Sequence, residues 1–162
     1  MQHGDIITAP GNSDTVIATG REDRGPAGME TGMTTKFFRM TISDAPTREL
    51  EGRGISRMLI NLATGAEKVD VHLNELKAGT GQGQRHFHAK AENVYVVLEG
   101  CLEVVIEGES HLLYKDDVGF IPAGIVHTAG NGSADTLCRM LEIYAPAGRD
   151  FNVVEGWTRS DA

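Results

Sequence analysis

From residue 55 onward the chain is a succession of short strand-like runs separated by turns, a pattern that leaves few folds open to it. The runs cover residues 55–62, 68–76, 94–98, 102–106, 110–114, 118–121 and 136–144. Between them lie many of the 20 glycines, about one residue in eight against the usual ~7%. Glu107-Gly108 after the run at 102–106 is a hairpin signal, since both positions tolerate the left-handed backbone of a tight turn. No stretch keeps apolar residues at three-and-four spacing for more than two turns, and no repeat occurs. Such a chain closes as an all-β sandwich or barrel.

Residues 1–54 read differently. They carry eight acids and six bases with little apolar periodicity. Residues 5–7, 15–18 and 36–40 are candidate short strands, separated by turn chemistry such as Gly25-Pro26 and Ala45-Pro46. The expected division is an N-terminal arm or extra strands over 1–54, a barrel over 55–150 and a C-terminal tail over 151–162. The arm is either loose or adds strands to a neighbouring subunit. Trp157 in the tail packs on the barrel or on a partner.

Charge narrows the partners. Lys+Arg 15 against Asp+Glu 23 gives a formal charge of −8, which argues against a nucleic-acid or anionic-membrane surface. No window approaches the ~18 apolar residues of a membrane span, and the first thirty residues lack the layout of a signal peptide. Two cysteines, Cys101 and Cys138, make no disulfide framework, so a reduced, cytoplasmic setting is expected. The expected partner is a small molecule.

The chemistry concentrates in histidines. His86 and His88 stand two apart, so on a strand both imidazoles face one side and form half of a transition-metal site. A second segment, Asp116-Asp117-Val118-Gly119-Phe120-Ile121-Pro122-Ala123-Gly124-Ile125-Val126-His127-Thr128-Ala129-Gly130-Asn131, runs a strand into a Pro-Ala-Gly turn and then a third histidine.

Together these segments resemble the two motifs of the cupin superfamily, G-x5-HxH-x3,4-E-x6-G and G-x5-PxG-x2-H-x3-N. Pro122, Gly124, His127 and Asn131 match the second at the family spacing, with Asp116 in place of its opening glycine. His86, His88 and Gly100 match the first. The resemblance covers residues 55–150 and implies a cupin double-stranded β-helix, a jelly-roll barrel, with one divalent transition metal (Fe, Mn, Ni, Zn, Co or Cu) held by His86, His88 and His127. It also implies a homodimer formed through outer strands.

One departure matters. Counting seven back from Gly100 reaches Asn93, where the motif has Glu, and Glu92 sits one position earlier. Strand parity places Asn93 inward with Tyr95 and Val97 and turns Glu92 outward, so Asn93 is favoured as fourth ligand; a bulge that swings Glu92 inward, or water, are the alternatives. With Asn93 every protein ligand is neutral, and a dicationic centre would favour an anionic substrate or acidify a bound water.

Tyr95 is the candidate substrate-binding residue. Arg57, Tyr114, Arg139 and Glu142 are further candidates for the barrel interior. His72 reads as solvent-facing or as supporting the site from behind, His111 as exposed. Gly79-Thr80-Gly81-Gln82-Gly83 is no phosphate loop, because no helix follows it. The function this implies is a metal-dependent enzyme acting on a small polar organic molecule, with oxygenase (dioxygenase, oxidoreductase) chemistry ahead of lyase or isomerase chemistry. The alternative is a non-catalytic metal-containing binding or sensor module.

Overall fold

The computed structural model describes residues 37–148 and 150–154. The candidate strands at 5–7 and 15–18, and Trp157, lie outside them. Residues 37–40 form no strand, contrary to the sequence expectation for 36–40, and a 3-10 turn follows at Ile42–Asp44.

Eleven strands are present among the described residues: β1 (Thr47–Glu49), β2 (Gly54–Ile60), β3 (Asp70–Leu76), β4 (His86–Phe87), β5 (Glu92–Glu99), β6 (Cys101–Ile106), β7 (Glu109–Tyr114), β8 (Val118–Ile121), β9 (His127–Asn131), β10 (Cys138–Ala145) and β11 (Asn152–Val153). One sheet has the order β1-β2-β3-β10-β5-β8 and the other β11-β4-β9-β6-β7. All pairings between named strands are antiparallel. This is a jelly-roll β-sandwich, the expected fold class. No helix among the described residues is long and apolar enough to cross a membrane.

Local chemistry explains the turns. Glu107 and Gly108 both have positive φ (51° and 94°) and join Ile106 to Glu109, the hairpin geometry the sequence signals. Asp116, which replaces the motif's opening glycine, has φ of 75°. Asp is among the few non-glycine residues that occupy this region readily, so the substitution keeps the turn. Asn131, the last residue of the second motif, is structural: its amide donates to the carbonyls of Leu76, Lys77 and Thr136, and its oxygen accepts from Ser133 N–H.

Inward-facing residues grade from apolar to polar along the strands. At one end Leu76, Val97, Leu102, Val104, Cys138 and Met140 pack into the core. At the other, the same parity gives Asp70, His72 and Asn74 on β3, Asn93 and Tyr95 on β5, and Glu142 and Tyr144 on β10. Burial pushes the Cys138 thiol up to about 12, so it behaves as a small apolar side chain. The polar end is where the histidines gather.

Candidate metal centre and its cavity

His86 lies on β4 and His127 opens β9, and the two are register partners. His88 follows β4 directly. Its carbonyl accepts from Gly124 N–H at 2.7 Å, so the Pro-x-Gly turn of one motif is tied to the His-x-His of the other. Ring centroids stand 5.0 Å (His86–His88), 4.4 Å (His86–His127) and 5.4 Å (His88–His127) apart. All three side chains are buried, and one ring nitrogen of each lies within 4.8 Å of the others.

Backbone carbonyls decide which nitrogen faces inward. Nδ1 of His86 donates to Gln84 O at 2.8 Å, Nδ1 of His127 to Ile125 O at 2.9 Å, and Nδ1 of His88 to Asp150 O. A carbonyl can only accept, so each Nδ1 carries the proton and each Nε2 keeps its lone pair. All three Nε2 atoms are buried without a hydrogen-bond partner. Burial lowers the pKa of His86 to about 4, with His127 adding to the effect, and burial also lowers that of His127. Three buried, convergent, unpaired lone pairs would be costly left alone; they suit one cation that accepts nitrogen donors.

Asn93 is fully buried and Glu92 is exposed. Nδ2 of Asn93 donates to Tyr95 Oη at 3.0 Å and reaches Glu142 Oε1 at 3.5 Å. Because an ionised carboxylate only accepts, Glu142 fixes the amide with nitrogen toward itself, leaving Asn93 Oδ1 buried and without a partner. Tyr144, the register partner of Asn93, has its ring 4.8 Å from that of His88.

His86 and His88 border a cavity of about 660 Å³. Its inner wall is a cross-strand row, Met58–His72–Glu142–Tyr95, from β2 to β5. Glu142 was only one candidate among several by sequence, yet it lines the cavity and accepts from Asn74 Nδ2 at 2.6 Å. Although burial raises its pKa, hydrogen bonds from Tyr144 and Asn74 and the nearby imidazoles of His72 and His86 outweigh this and hold it below the ordinary value. A carboxylate therefore sits beside the centre even though position 93 lacks one, which weakens the expectation of an anionic substrate.

The structure separates the remaining candidates. Tyr95 borders the cavity. Tyr114 is 57% exposed on β7, and Arg57 and Arg139 pair with Glu75 at 3.2 and 3.3 Å, so these three do not line the interior. His72, read as solvent-facing or supporting, forms part of the cavity wall, and His111 is exposed as expected. Sequence reasoning missed Phe151 and Asp150. Phe151 stacks on His86 at 3.9 Å, and β11 pairs with β4.

Asp150 supplies the carbonyl for His88 while its carboxylate accepts from the N–H groups of Lys90 and Ala91. The backbone bond from Lys90 is the main reason its pKa is lowered. A depressed carboxylate stabilises the folded state above its unfolded pKa, near 3.9, and loses that contribution as pH falls through the folded value. Asp150→Asn is therefore expected to lower thermal stability at neutral pH and to flatten its fall below about pH 4. Melting curves from pH 2 to 7 check this, and an unchanged acid limb would contradict it.

Comparison with known proteins agrees with this architecture. Residues 72–144 match the family described as Cupin domain. An uncharacterized protein of Aquifex aeolicus is 39% identical over 72 residues, which are 43% of this chain and 58% of the relative. The HTH-type transcriptional regulator PuuR of Escherichia coli is 28% identical over 98 residues, 60% of this chain and 52% of the regulator. The chain thus spans a little over half the length of these curated relatives. The solved polyketide cyclase RemF of Streptomyces resistomycificus superposes with a TM-score of 0.63 at 26% identity, covering 76% of this chain and 88% of the cyclase. The likeness to a regulator leaves the charge-based exclusion of nucleic acid without support.

Proposed function

Since this chain belongs to the cupin superfamily, we propose that it is a metal-dependent enzyme in which His86, His88 and His127 hold one divalent transition metal, with Asn93 Oδ1 as fourth ligand. The observation that carries this reading is the set of three buried, unpartnered Nε2 atoms within 4.8 Å of one another. The orphaned Oδ1 of Asn93 supports the fourth place. When bound, the metal supplies Lewis-acid activation of a coordinated oxygen, or oxygen chemistry if it is iron.

The chain's own residues do the rest. Gln84, Ile125 and Asp150 hold the imidazoles in the ligating tautomer through their carbonyls. Tyr95 and Asn74 steady the Glu142 carboxylate, which is placed to accept a hydrogen bond or a proton from a molecule bound in the cavity. Phe151 packs over His86 and shields one face of the centre. The substrate is a small polar organic molecule, and oxygenase chemistry is placed ahead of lyase or isomerase chemistry. Expected from the same reading is a homodimer: Leu112 and Tyr114 on β7 and Val118 and Phe120 on β8 are 49–65% exposed on edge strands.

The similarity to a transcriptional regulator favours a second reading, a non-catalytic sensor whose metal orders the pocket. Metal content of anaerobically purified protein, measured with oxygen uptake across candidate substrates, tests the first. One equivalent of metal with turnover lost on chelation supports the enzyme. Turnover that persists without metal would overturn it, and ligand binding with no turnover would favour the sensor.

A further inference from the structure

The wall formed by β2 and β3 carries a feature the metal centre does not use. Asp70, His72 and Asn74 alternate along β3, share its inward face and border the cavity. Asp70 is 7% and Asn74 4% exposed, yet Asp70 Oδ1, Asn74 Oδ1 and His72 Nδ1 are all buried without a hydrogen-bond partner. The other halves of the two shorter side chains are already committed. Asp70 Oδ2 accepts from Gly148 N–H at 2.8 Å, and Asn74 Nδ2 donates to Glu142. What remains free on Asp70 and Asn74 is acceptor capacity, and the Glu142 carboxylate beside them can only accept.

Buried polar atoms are normally paired, and a row of unpaired ones on residues that line a cavity is what the complementary groups of a ligand would satisfy. We infer that this row is the recognition wall for a small molecule rich in hydrogen-bond donors, hydroxyl or ammonium, and neutral or cationic overall. The inference rests on the proposed function only in taking this cavity as the substrate site. The lining charges agree with it: Glu49, Glu51, Asp70, Glu142 and Asp150 stand against Arg48 and Arg53. Such an excess of carboxylates repels a second anion. One ring links the wall to the metal centre, because Tyr144 lies 5.5 Å from His72 and 4.8 Å from His88 between centroids. A molecule spanning Tyr144 would touch both.

The test uses three six-carbon chains of equal length: sorbitol, 1-amino-1-deoxysorbitol and glucarate, which are neutral, cationic and dianionic. Binding is followed by calorimetry on the metal-free full chain, so that no cation recruits the carboxylates. The expected order places the amine and the polyol at least tenfold tighter than glucarate. Asn74→Leu and Asp70→Asn should each weaken the two donor-rich compounds by about 5- to 10-fold, the loss of one hydrogen bond. Far-UV circular dichroism confirms that each variant is folded. Glucarate binding as tightly as the others, unchanged affinities in both folded variants, or no saturable binding of either donor-rich compound would overturn the inference. Metal uptake measured on the same protein reports separately on the three-histidine reading.

Discussion

Replacing His127 by Ala is expected to abolish tight metal binding while leaving the β fold in place. His127 is 1% exposed, opens β9 opposite His86, and contributes one of three convergent lone pairs. Losing only a residue behind a ligand commonly weakens a metal site 10- to 100-fold, so losing a ligand itself should exceed about 100-fold. Thermal shift makes the effect visible. At a free metal concentration one hundred times the Kd, binding stabilises the folded state by about 2.7 kcal/mol. In a domain of this size that corresponds to roughly 8–10 °C. The wild type should show this rise and His127→Ala none. The metal-free variant should melt lower than metal-free wild type by an amount equivalent to about 1–3 kcal/mol, because Ile125 O loses its buried donor. His111→Ala, on the exposed face of β7, should retain the full shift. An undiminished shift in His127→Ala would remove that imidazole from the centre.

The second large effect is structural and comes from Gly100, the last residue of the first motif. Its φ is +77°, and a Cβ there would lie 2.2 Å from Leu137 O and 3.1 Å from Cys138 Cα. Both obstacles are backbone, at the start of β10 and next to the register shift between Arg139 and Met140. Relieving the clash means moving β10 away from β5, and β10 carries Glu142. Gly100→Ala should therefore cost left-handed strain of about 1–2 kcal/mol plus overpacking of about 1–3 kcal/mol. Together these predict a fall in Tm of roughly 6–18 °C. Gly108→Ala is the contrast, since φ is +94° there and nothing lies within 4 Å of the added atom. It should lower Tm by no more than about 7 °C, the strain alone. Equal losses in the two variants would refute the close-approach argument.

Strand parity made much of this molecule legible. It places His86 beside His88 and turns Asn93 and Tyr95 inward and Glu92 outward, and the structure has each of them so. The same logic hid the opposite wall. In Leu141-Glu142-Ile143-Tyr144 the usual pattern would send the apolar residues inward, yet Glu142 and Tyr144 face the cavity. On β3, too, the cavity-lining residues are Asp70, His72 and Asn74, whereas Leu73 is buried on the other face in register with Leu141 and Arg57. A polar cavity inverts the binary pattern around it, so Asp70, Asn74 and Tyr144 gave no sign of facing inward, and Glu142 was one interior candidate among several. The carbonyls of Gln84, Ile125 and Asp150 that set the imidazole tautomers were invisible for a different reason, since a backbone acceptor leaves no mark on residue identity.

X-ray absorption at the edge of the bound metal, on protein loaded with one equivalent, tests the shared centre most directly. The account predicts a single site with three imidazole nitrogens at about 2.0–2.2 Å and at least one oxygen donor. Fewer than two imidazoles in the fit, or metal that fails to bind stoichiometrically, would contradict it.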